Sequence, residues 1–343
     1  MSFYCLYDLI LNYVIKNIMK NYLKAFLIFL IFIFSSTAIA ENQDFNKWVK
    51  EFKKKAISQG ISKTTVDKAF SRIVFIEKLL IYDKRQPEFI EKTETYLGKR
   101  VTRSRIYTAK KLLVQKKDLL LKVEKDFGVP KEFLLALWGI ETNFGVHRGK
   151  VDILSALATM SYDKRRSAYF SKELITLLKL IDAKKVDINS MYGSWAGAHG
   201  NFQFMPSSIA NYAVDYDKDG KIDLVNSLED SFASAANYLK TIGWNQNITW
   251  GSEATASKKI NKKFITTDAR DLQKGMTYKK WVELGVVAKN SLVASDNFKL
   301  VRPDGLDGPI YLISTNYEKL LHWNRSLRFA VSIGVFSDNL IYD

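Results

Sequence analysis

The chain has 343 residues, of which 47% are hydrophobic, 26% charged and 13% aromatic. This composition excludes an intrinsically disordered protein and provides for one large domain or two smaller ones with a substantial core. The formal net charge of +16 favours an anionic polymer or surface as partner, and a solvated basic face without a binding role is the open alternative.

Residues 19–40 have the layout of a secretory signal peptide. A basic start, "MKNYLK", precedes the ten apolar residues "AFLIFLIFIF" and the small-residue cleavage signal "AIA", which ends at Ala40. The apolar run is too short for a comfortable membrane span, although an uncleaved N-terminal anchor is the alternative. Residues 1–18 make no sense ahead of a signal peptide, so we expect translation to start at Met19 and the mature chain to start at Glu41.

The expected mature chain contains no cysteine, because Cys5 lies upstream of the cleavage signal. It therefore has no disulfide, no thiol chemistry and no cysteine for lipid attachment. Residues 1–40 carry a net charge of +2, which leaves +14 on the mature chain. Nucleic acid is a poor partner for an exported protein, so cell-wall polymer or the membrane surface remains.

The pattern of the chain changes three times after the signal peptide. Residues 41–125 are typical of helices rich in Lys and Arg, including one amphipathic helix over "LLVQKKDLLLKVEKDF" that ends before Gly128. Residues 126–244 hold almost every unusual feature. Short alternating stretches over residues 245–315 predict a small β-rich subdomain, and residues 316–343 return to helix.

The stretch "PKEFLLALWGIETNFG" predicts a buried helix that carries one carboxylate, Glu141. Pro130 marks the start of this helix and Gly145 is a plausible stop. Glu141 falls at helical spacing on the inward face, together with Leu134, Leu137 and Trp138. An ionised carboxylate buried without a partner is costly, so we expect the pKa of Glu141 to be raised.

The glycine-rich loop "GSWAGAHGNFQFMPSS" follows at residues 193–208. Glycines allow a backbone to approach a ligand closely, and a tight structural turn is the alternative. Ser194, His199, Asn201 and Gln203 are more polar groups than a simple turn requires. The three histidines of the chain have no metal-ligand spacing, so a zinc site is not expected.

The stretch "DYDKDGKIDLVNSLED" resembles an EF-hand calcium loop, with aspartates at positions one, three and five and Gly220 at six. Asn226 occupies position twelve, so the last ligand must come from further along the chain. An acidic surface turn before a helix that starts near Ser227 is the alternative. The predicted ligands are Asp215, Asp217, Asp219, the carbonyl oxygen of Lys221, and either Asp230 or Glu229.

Two further clusters are candidates for substrate binding. Arg165 and Arg166, in "DKRRSAYF", can form paired hydrogen bonds to substrate carboxylates, or they form a solvated helix end. Trp323 and Asn324, in "HWNRS", offer a ring for stacking and an amide donor. For an isolated tryptophan, core packing is the alternative.

Taken together, these stretches resemble the lytic murein transglycosylase B family, distant relatives of goose-type lysozyme. The resemblance runs in chain order over nearly the whole mature chain, through "DKRQPEF", "YLGKRV", "FGVPKEFLLALWGIETNFG", "DKRRSAYF", "GSWAGAHGNFQFMPSS", "YDKDGKIDL", "ANYLKTIGW" and "NYEKLLHWNRS". It implies an α+β, mainly α fold, with a lysozyme-like catalytic core, an additional helical region and a small β-rich subdomain. Residues 41–343 would form the catalytic domain.

The resemblance also implies roles for individual residues. The catalytic glutamate of the family corresponds to Glu141 and a binding-groove tyrosine to Tyr96. Its saccharide-contacting residues correspond to Ser194, Gln203 and Asn324, and its calcium loop to the predicted one. The sequence departs from the family at Trp323 and Phe329, where tyrosine is frequent, and at His199, where methionine is common.

The function implied is an exported, periplasmic lytic transglycosylase that cleaves the β-1,4 bond between N-acetylmuramate and N-acetylglucosamine. Glycosidases generally use two carboxylates, whereas this family uses one glutamate as acid and base and forms a 1,6-anhydro sugar. A structural calcium ion is expected and an organic cofactor is not. Glycan strands are the expected partner of a monomer, with other cell-wall enzymes as further candidates. The alternatives are a muramidase-type hydrolase and a non-catalytic peptidoglycan-binding protein.

Overall fold

A computed structural model of the chain describes residues 44–293 and 296–342; the expected signal peptide and the start at Met19 lie outside them. The chain divides into two compact units, with the boundary between Gly60 and Ile61. Within the described part of the chain, no helix has the length and apolar character that crossing a membrane requires.

The first unit contributes one described helix, α1, over residues 44–58. Its aromatic residues pack along the helix: the rings of Phe45 and Trp48 are 5.5 Å apart, and those of Trp48 and Phe52 are 4.8 Å apart.

The second unit is mainly helical. Its helices are α2 (Lys63–Phe70), α3 (Lys78–Lys84), α4 (Pro87–Ile90), α5 (Thr93–Arg100), α6 (Arg103–Gln115), α7 (Lys117–Phe127), α8 (Lys131–Thr142), α9 (Ile153–Tyr162), α10 (Ser167–Asp182), α11 (Pro206–Tyr212), α12 (Leu228–Thr241), α13 (Tyr278–Glu283), α14 (Thr315–Trp323) and α15 (Leu327–Ile341).

The strands form a two-stranded antiparallel sheet and one larger sheet. The strands are β1 (Val151–Asp152), β2 (Tyr192–Gly193), β3 (Gly251–Ala256), β4 (Ile265–Thr266), β5 (Met276–Thr277), β6 (Val286–Ala288), β7 (Asn297–Val301) and β8 (Ile310–Ile313). β1 pairs with β2, and the larger sheet has the order β4-β7-β8-β3-β6, with β5 added beside β7. A mainly helical α+β fold with a small sheet is therefore confirmed.

The amphipathic helix predicted to end before Gly128 is two helices, so the prediction of one continuous element was wrong. Lys116 leaves the helical conformation, with φ −112° and ψ 20°, and separates α6 from α7. The apolar pattern continues across this break, which is why the sequence alone does not reveal it. The predicted end is observed, because Gly128 caps α7 in the left-handed conformation at φ 71°.

Helix α8 lies at the centre of the second unit and is buried on all sides, from Phe133 to Gly139. It packs against α6, α7, α12 and α15. Gly139 allows this close packing, because a Cβ at that position would lie 2.8 Å from the ring of Phe336 on α15. A polar side chain on a helix surrounded by other helices is costly unless it has a hydrogen-bond partner or reaches solvent.

The larger sheet has a small core of its own, which includes Trp281, Leu300 and Leu312. It is joined to α15 by Asp338, whose carboxylate accepts hydrogen bonds from Trp250 Nε1 at 3.0 Å and Asn290 Nδ2 at 2.8 Å. Burial raises the pKa of Asp338 to about 6, and the two donors act against this rise.

The glycine-rich loop folds back on the two-stranded sheet of β1 and β2. His199 forms isolated β-bridges with Gly193 and with Phe204, so the loop adds extended backbone next to β2. Gly149 lies just before β1 at φ +84°, and a Cβ there would be 2.0 Å from the carbonyl oxygen of Gly193. Only glycine allows the two backbones to approach this closely.

We therefore expect Gly149→Ala to lower the free energy of unfolding by about 2–4 kcal/mol, from the left-handed φ and the backbone clash together. Gly305→Ala is the matched control, because Gly305 has a similar φ of +80° and nothing lies within 4 Å of its Cβ position. That control should cost about 1 kcal/mol, from the left-handed φ alone. Urea unfolding measures both, and equal losses would contradict the close approach at Gly193.

Candidate active site

The candidate active site is built at the C-terminal end of α8. Asn143 and Phe144 both adopt left-handed backbone conformations, with φ values of 50° and 58°, and Asn143 caps the helix. The helix therefore ends at Thr142 with its cap at Asn143, two residues before the predicted stop at Gly145. Glu141 lies in the last turn, where the chain leaves the packed interior.

Asn201 of the glycine-rich loop fixes this end of α8. Its Oδ1 accepts a hydrogen bond from Trp138 Nε1 at 3.2 Å, and its carbonyl oxygen accepts one from Thr142 Oγ1 at 2.8 Å. Its Nδ2 donates to the carbonyl oxygen of Val225 at 3.0 Å and to Ser231 Oγ on α12 at 3.0 Å. A buried amide with several partners at these distances holds the helix end, the loop and α12 in one arrangement.

The carboxyl group of Glu141 has one described hydrogen-bond partner. Trp323 Nε1 donates to Glu141 Oε1 at 2.9 Å. The residue keeps part of its surface open to solvent, yet desolvation by the surrounding protein is the largest influence on it and raises its pKa to about 8. The Trp323 hydrogen bond lowers this pKa and the charge of Glu88 raises it. Glu141 is therefore protonated at neutral pH, as the apolar face predicted.

Tyr96 on α5 lies close enough to this carboxyl group to interact with it electrostatically. Burial is the main reason that the pKa of Tyr96 is raised, and the charges of Glu88 and Glu141 add to the rise. The guanidinium group of Arg100 lies over the Tyr96 ring, 3.6 Å from its centre, and acts in the opposite direction. Tyr96 is thus a neutral hydroxyl at the site.

Trp323 is the end of a stack of three aromatic rings. The ring of Tyr238 on α12 lies 4.8 Å from the Trp323 ring, at an interplanar angle of 22°. The ring of Tyr212 on α11 lies 4.2 Å from Tyr238, at 7°. The indole predicted to stack on a sugar is therefore covered by protein on one face.

The other predicted glycan contacts lie on the glycine-rich loop and after α14. Ser194 Oγ accepts backbone hydrogen bonds from Ala196 and Ala198, and so shapes the loop. Gln203 has a left-handed backbone, and its Nε2 donates to the carbonyl oxygens of Arg148 and Gly200.

Asn324 directly follows Trp323 and caps the end of α14. Contact of Ser194, Gln203 and Asn324 with a glycan stays a prediction.

The arginine pair predicted to bind substrate carboxylates contacts a protein carboxylate. Asp83, at 4% exposure, forms ion pairs with Arg165 and with Arg166, the latter at 2.9 Å. The guanidinium group of Arg166 also lies 4.8 Å from the centre of the Phe170 ring. The pair thereby anchors the segment before α4, and its role in substrate binding stays a prediction.

His199 is a buried structural residue by its contacts. Its Nδ1 lies 3.0 Å from the carbonyl oxygen of Tyr192, and burial lowers its pKa. The ring is therefore neutral, with Nδ1 as the donor.

The predicted calcium loop brings three carboxylates together. Oxygen atoms of Asp215, Asp217 and Asp230 all lie within 4.8 Å of one another. Asp215 Oδ1 is buried and has no hydrogen-bond partner, which is unusual unless a cation satisfies it. Asp230 rather than Glu229 points into the loop, because Asp230 is buried and Glu229 is exposed.

Asp219, the fourth predicted carboxylate, is not part of this group. Its Oδ1 accepts a hydrogen bond from the backbone N–H of Lys221 at 2.8 Å. The predicted metal contact through the carbonyl oxygen of Lys221 stays a prediction.

Sequence reasoning missed Glu88 and Tyr238. Glu88 on α4 is a second carboxylate whose charge acts on Glu141. It lies in "DKRQPEF", a stretch that contributes to the resemblance but has no local pattern of a catalytic site. Tyr238 lies in "ANYLKTIGW", where its spacing on α12 is that of an ordinary core residue. No local signal in the sequence distinguishes it.

Comparisons with known proteins agree with this architecture. Residues 44–338 match the family model described as Transglycosylase SLT domain. A segment of 131 residues, 38% of this chain, is 44% identical to the membrane-bound lytic murein transglycosylase B of Escherichia coli (strain K12). The match spans only 36% of the length of that relative.

Solved structures with the same fold cover most of the chain. SltB3 from Pseudomonas aeruginosa, in complex with NAG-anhNAM-pentapeptide, has a TM-score of 0.78 and 30% identity, over 87% of this chain and 80% of that one. Escherichia coli Slt35, in complex with bulgecin A, has a TM-score of 0.72 and 27% identity, over 85% of this chain and 92% of that one. Slt35 has also been solved in complex with calcium. These similarities confirm the predicted lysozyme-like core.

A raised pKa at Glu141 has a consequence for stability. The unfolded chain ionises this group above a pKa of ~4.3, whereas the folded protein keeps the proton up to about pH 8. Between these values the wild-type protein loses stability as pH rises, by about 1.4 kcal/mol per pH unit. Glu141→Gln removes the titrating group. The free energy of unfolding of the variant should therefore rise relative to that of the wild type over this range, by a few kcal/mol in all, and the difference should be constant at higher pH.

Urea unfolding from pH 4 to pH 9 measures the difference between the two proteins. Glu283→Gln, at an exposed position on α13, is the control for a charge change outside the site. A difference between Glu141→Gln and the wild type that does not change with pH would contradict the raised pKa.

Proposed function

Because the chain belongs to the transglycosylase SLT domain family, we propose that it is a lytic transglycosylase that cleaves peptidoglycan glycan strands. The bond cleaved would be the β-1,4 bond between N-acetylmuramate and N-acetylglucosamine. The observation that carries the proposal is the carboxyl group of Glu141, held protonated at neutral pH by burial, at the open end of α8. A buried acid with a pKa near the working pH is what general acid catalysis requires.

A single glutamate suffices for the proposed reaction. Protonated Glu141 donates to the glycosidic oxygen as the bond between that oxygen and C1 breaks, and the leaving sugar keeps the bonding electrons. The 6-hydroxyl oxygen of muramate then bonds to C1, and its proton returns to Glu141. The product is a 1,6-anhydromuramate end, and no water is consumed.

A muramidase reaction is the second candidate, because Glu88 is a carboxylate whose charge acts on Glu141. A hydrolase needs such a group to activate water or to act as nucleophile. Glu88 lies on the short helix α4, where its backbone carbonyl accepts hydrogen bonds from Ser326 and Arg328. The product distinguishes the two reactions, since hydrolysis adds a water molecule.

We expect sacculi digested by the wild-type protein to release anhydro muropeptides, which are lighter by about 18 Da, one water, than hydrolysed products. Glu141→Gln should bind sacculi but lower release by about 10²–10⁴-fold, the usual loss of a general acid. Glu88→Gln should leave the anhydro product as the only product. Mass spectrometry reads out all three, and hydrated products from the wild type would contradict the transglycosylase proposal. Undiminished release by Glu141→Gln would contradict the role of Glu141.

The carboxylates of the acidic loop fit a structural calcium ion. Asp215, Asp217 and Asp230 would hold the ion, since hard cations prefer several carboxylate oxygens, and the buried unpartnered Oδ1 of Asp215 would be satisfied. The ion would neutralise carboxylates that otherwise repel each other just before α12. The same helix carries Ser231 and Tyr238, both of which contact the site through other residues.

Calcium should therefore raise the unfolding temperature. Binding to the folded state alone stabilises by about 2.7 kcal/mol at a hundredfold excess over the dissociation constant. Asp230→Asn should remove most of the difference between calcium and chelator, whereas Glu229→Gln, at the exposed neighbouring position, should keep it. Thermal unfolding of the three proteins tests this, and an unchanged midpoint in the wild type would argue for an acidic turn without a metal.

The proposed substrate lies outside the cytoplasm, which agrees with a signal peptide over residues 19–40 and a periplasmic location. The net charge of +14 expected after cleavage would attract the mature protein to anionic wall polymer. A monomer acting on glycan strands is the simplest form of the proposal.

A further inference from the structure

The aromatic stack that ends at Trp323 lies directly behind the candidate catalytic carboxyl group. It begins with Tyr212 at the end of α11, continues through Tyr238 on α12 and ends at the indole. Edge contacts from Phe204, whose ring is 5.2 Å from that of Trp323 at 69°, close one side. These contacts restrict the indole to an orientation in which its N–H meets Glu141.

Tyr238 holds this region in two ways. Its ring covers one face of the indole, and its hydroxyl donates a hydrogen bond to the carbonyl oxygen of His322 at 3.0 Å, directly before Trp323. Burial raises the pKa of Tyr238 to about 12, so the hydroxyl keeps the proton that it donates. Ring stacking and a backbone hydrogen bond together fix both the plane of the indole and the chain that carries it.

We propose that Tyr238, supported by Tyr212, is a positioning residue that holds the Trp323 N–H on Oε1 of Glu141, so that Oε2 is the oxygen that carries the catalytic proton. This inference rests on the proposed function of Glu141. It also gives Trp323 a role in controlling the acid rather than in stacking on a sugar.

The assignment of the two oxygens follows from the chemistry of the donor. An indole N–H only donates, so Oε1 must supply a lone pair in either protonation state of Glu141. The carbonyl oxygen of a carboxylic acid is the better acceptor, which leaves the hydroxyl at Oε2. The proton leaves Oε2 for the glycosidic oxygen, and the proton of the muramate 6-hydroxyl returns to it. The hydrogen bond at Oε1 strengthens while the carboxylate exists, because bonds to charged acceptors are stronger.

Two other ionisable groups face this carboxyl group from neighbouring helices. Glu88 on α4 raises the pKa of Glu141, and the neutral hydroxyl of Tyr96 on α5 lies within electrostatic range. Neither makes a described hydrogen bond to Glu141, so Trp323 is its one described donor. A change in this donor should therefore move the pH at which Glu141 loses its proton.

The test is the pH at which kcat falls on the alkaline side, called the alkaline limb, as Glu141 loses its proton. It is measured on a soluble glycan fragment at two salt concentrations, which separates adsorption from ionisation. Trp323→Phe keeps a ring in the stack and removes the N–H, so the limb should move up by about one pH unit. Tyr238→Leu should move it in the same direction by a smaller amount, and Tyr238→Phe by less again. In the Trp323→Phe background, Tyr238→Leu should not move it further.

Tyr278→Leu is the matched control, because it removes a ring packed on Phe298 in the larger sheet, on elements other than those that form the site. It should lower the unfolding temperature without moving the limb. An equal shift from Tyr238→Leu with and without the indole N–H would overturn the proposal, as would a limb that does not move in either single variant.

A second measurement covers variants that fold poorly and does not depend on turnover. The Trp323 Nε1–H resonance, identified by its loss in Trp323→Phe, should titrate with Glu141 in the wild-type protein and respond less to pH in Tyr238→Leu. A resonance that does not shift with pH in the wild-type protein, or that shifts as much in Tyr238→Leu as in the wild type, would overturn the proposal. A normal titration beside a limb that persists in Glu141→Gln would instead mean that the proposed function of Glu141 is wrong.

Discussion

The candidate site depends on one constraint at the end of α8: burial of the Glu141 carboxyl group disfavours its ionised form. A carboxyl group placed among apolar side chains keeps its proton, because the ionised form loses its hydration. The position of Glu141 in the last turn adds to this effect, since the carbonyl end of a helix carries partial negative charge. One hydrogen bond from Trp323 opposes both influences. The balance leaves an acid that is protonated at neutral pH and that can still exist as a carboxylate for the short time a reaction requires.

This balance needs rigid surroundings, and the contacts around α8 supply them. Asn201 joins Trp138, Thr142 and Ser231 by hydrogen bonds, so the helix end, the glycine-rich loop and α12 cannot move separately. The close approach of Gly149 to the backbone of Gly193 fixes the two-stranded sheet from which the loop continues. The chain thus keeps a destabilising acid at its centre and offsets the cost with packing around it, as functional sites commonly do.

Local patterns in the sequence predicted the parts of the site that depend on short spacing. The helical period placed Glu141 on a buried face, and the loop spacing predicted that Asp215 and Asp217 lie together. The choice of Asp230 over Glu229, and the separation of Asp219 from the group, came from the structure. The break of α6 and α7 at Lys116 was not predicted, because the apolar pattern crosses it without interruption. The ion pairs of Asp83 with Arg165 and Arg166 were not predicted either, because they join segments more than 80 residues apart, as the separation of 82 from Asp83 to Arg165 illustrates.

The contact between Trp323 and Glu141 joins residues 182 positions apart and could not be read from either local sequence. The sequence predicted Trp323 as a ring for stacking, and the resemblance marked it as a departure from a frequent tyrosine; neither indicated a donor to Glu141. A tyrosine hydroxyl can donate to a carboxylate or accept from a carboxylic acid, so its hydrogen bond can reverse when the partner takes up a proton. An indole cannot accept, and it does not ionise in the range where glutamate titrates. Phe329, which replaces the other frequent tyrosine, is buried at 3% exposure and offers no hydroxyl. Among the residues that the structure describes, this acid therefore has one hydrogen-bond donor of fixed direction, and the rings packed behind that donor hold it in place.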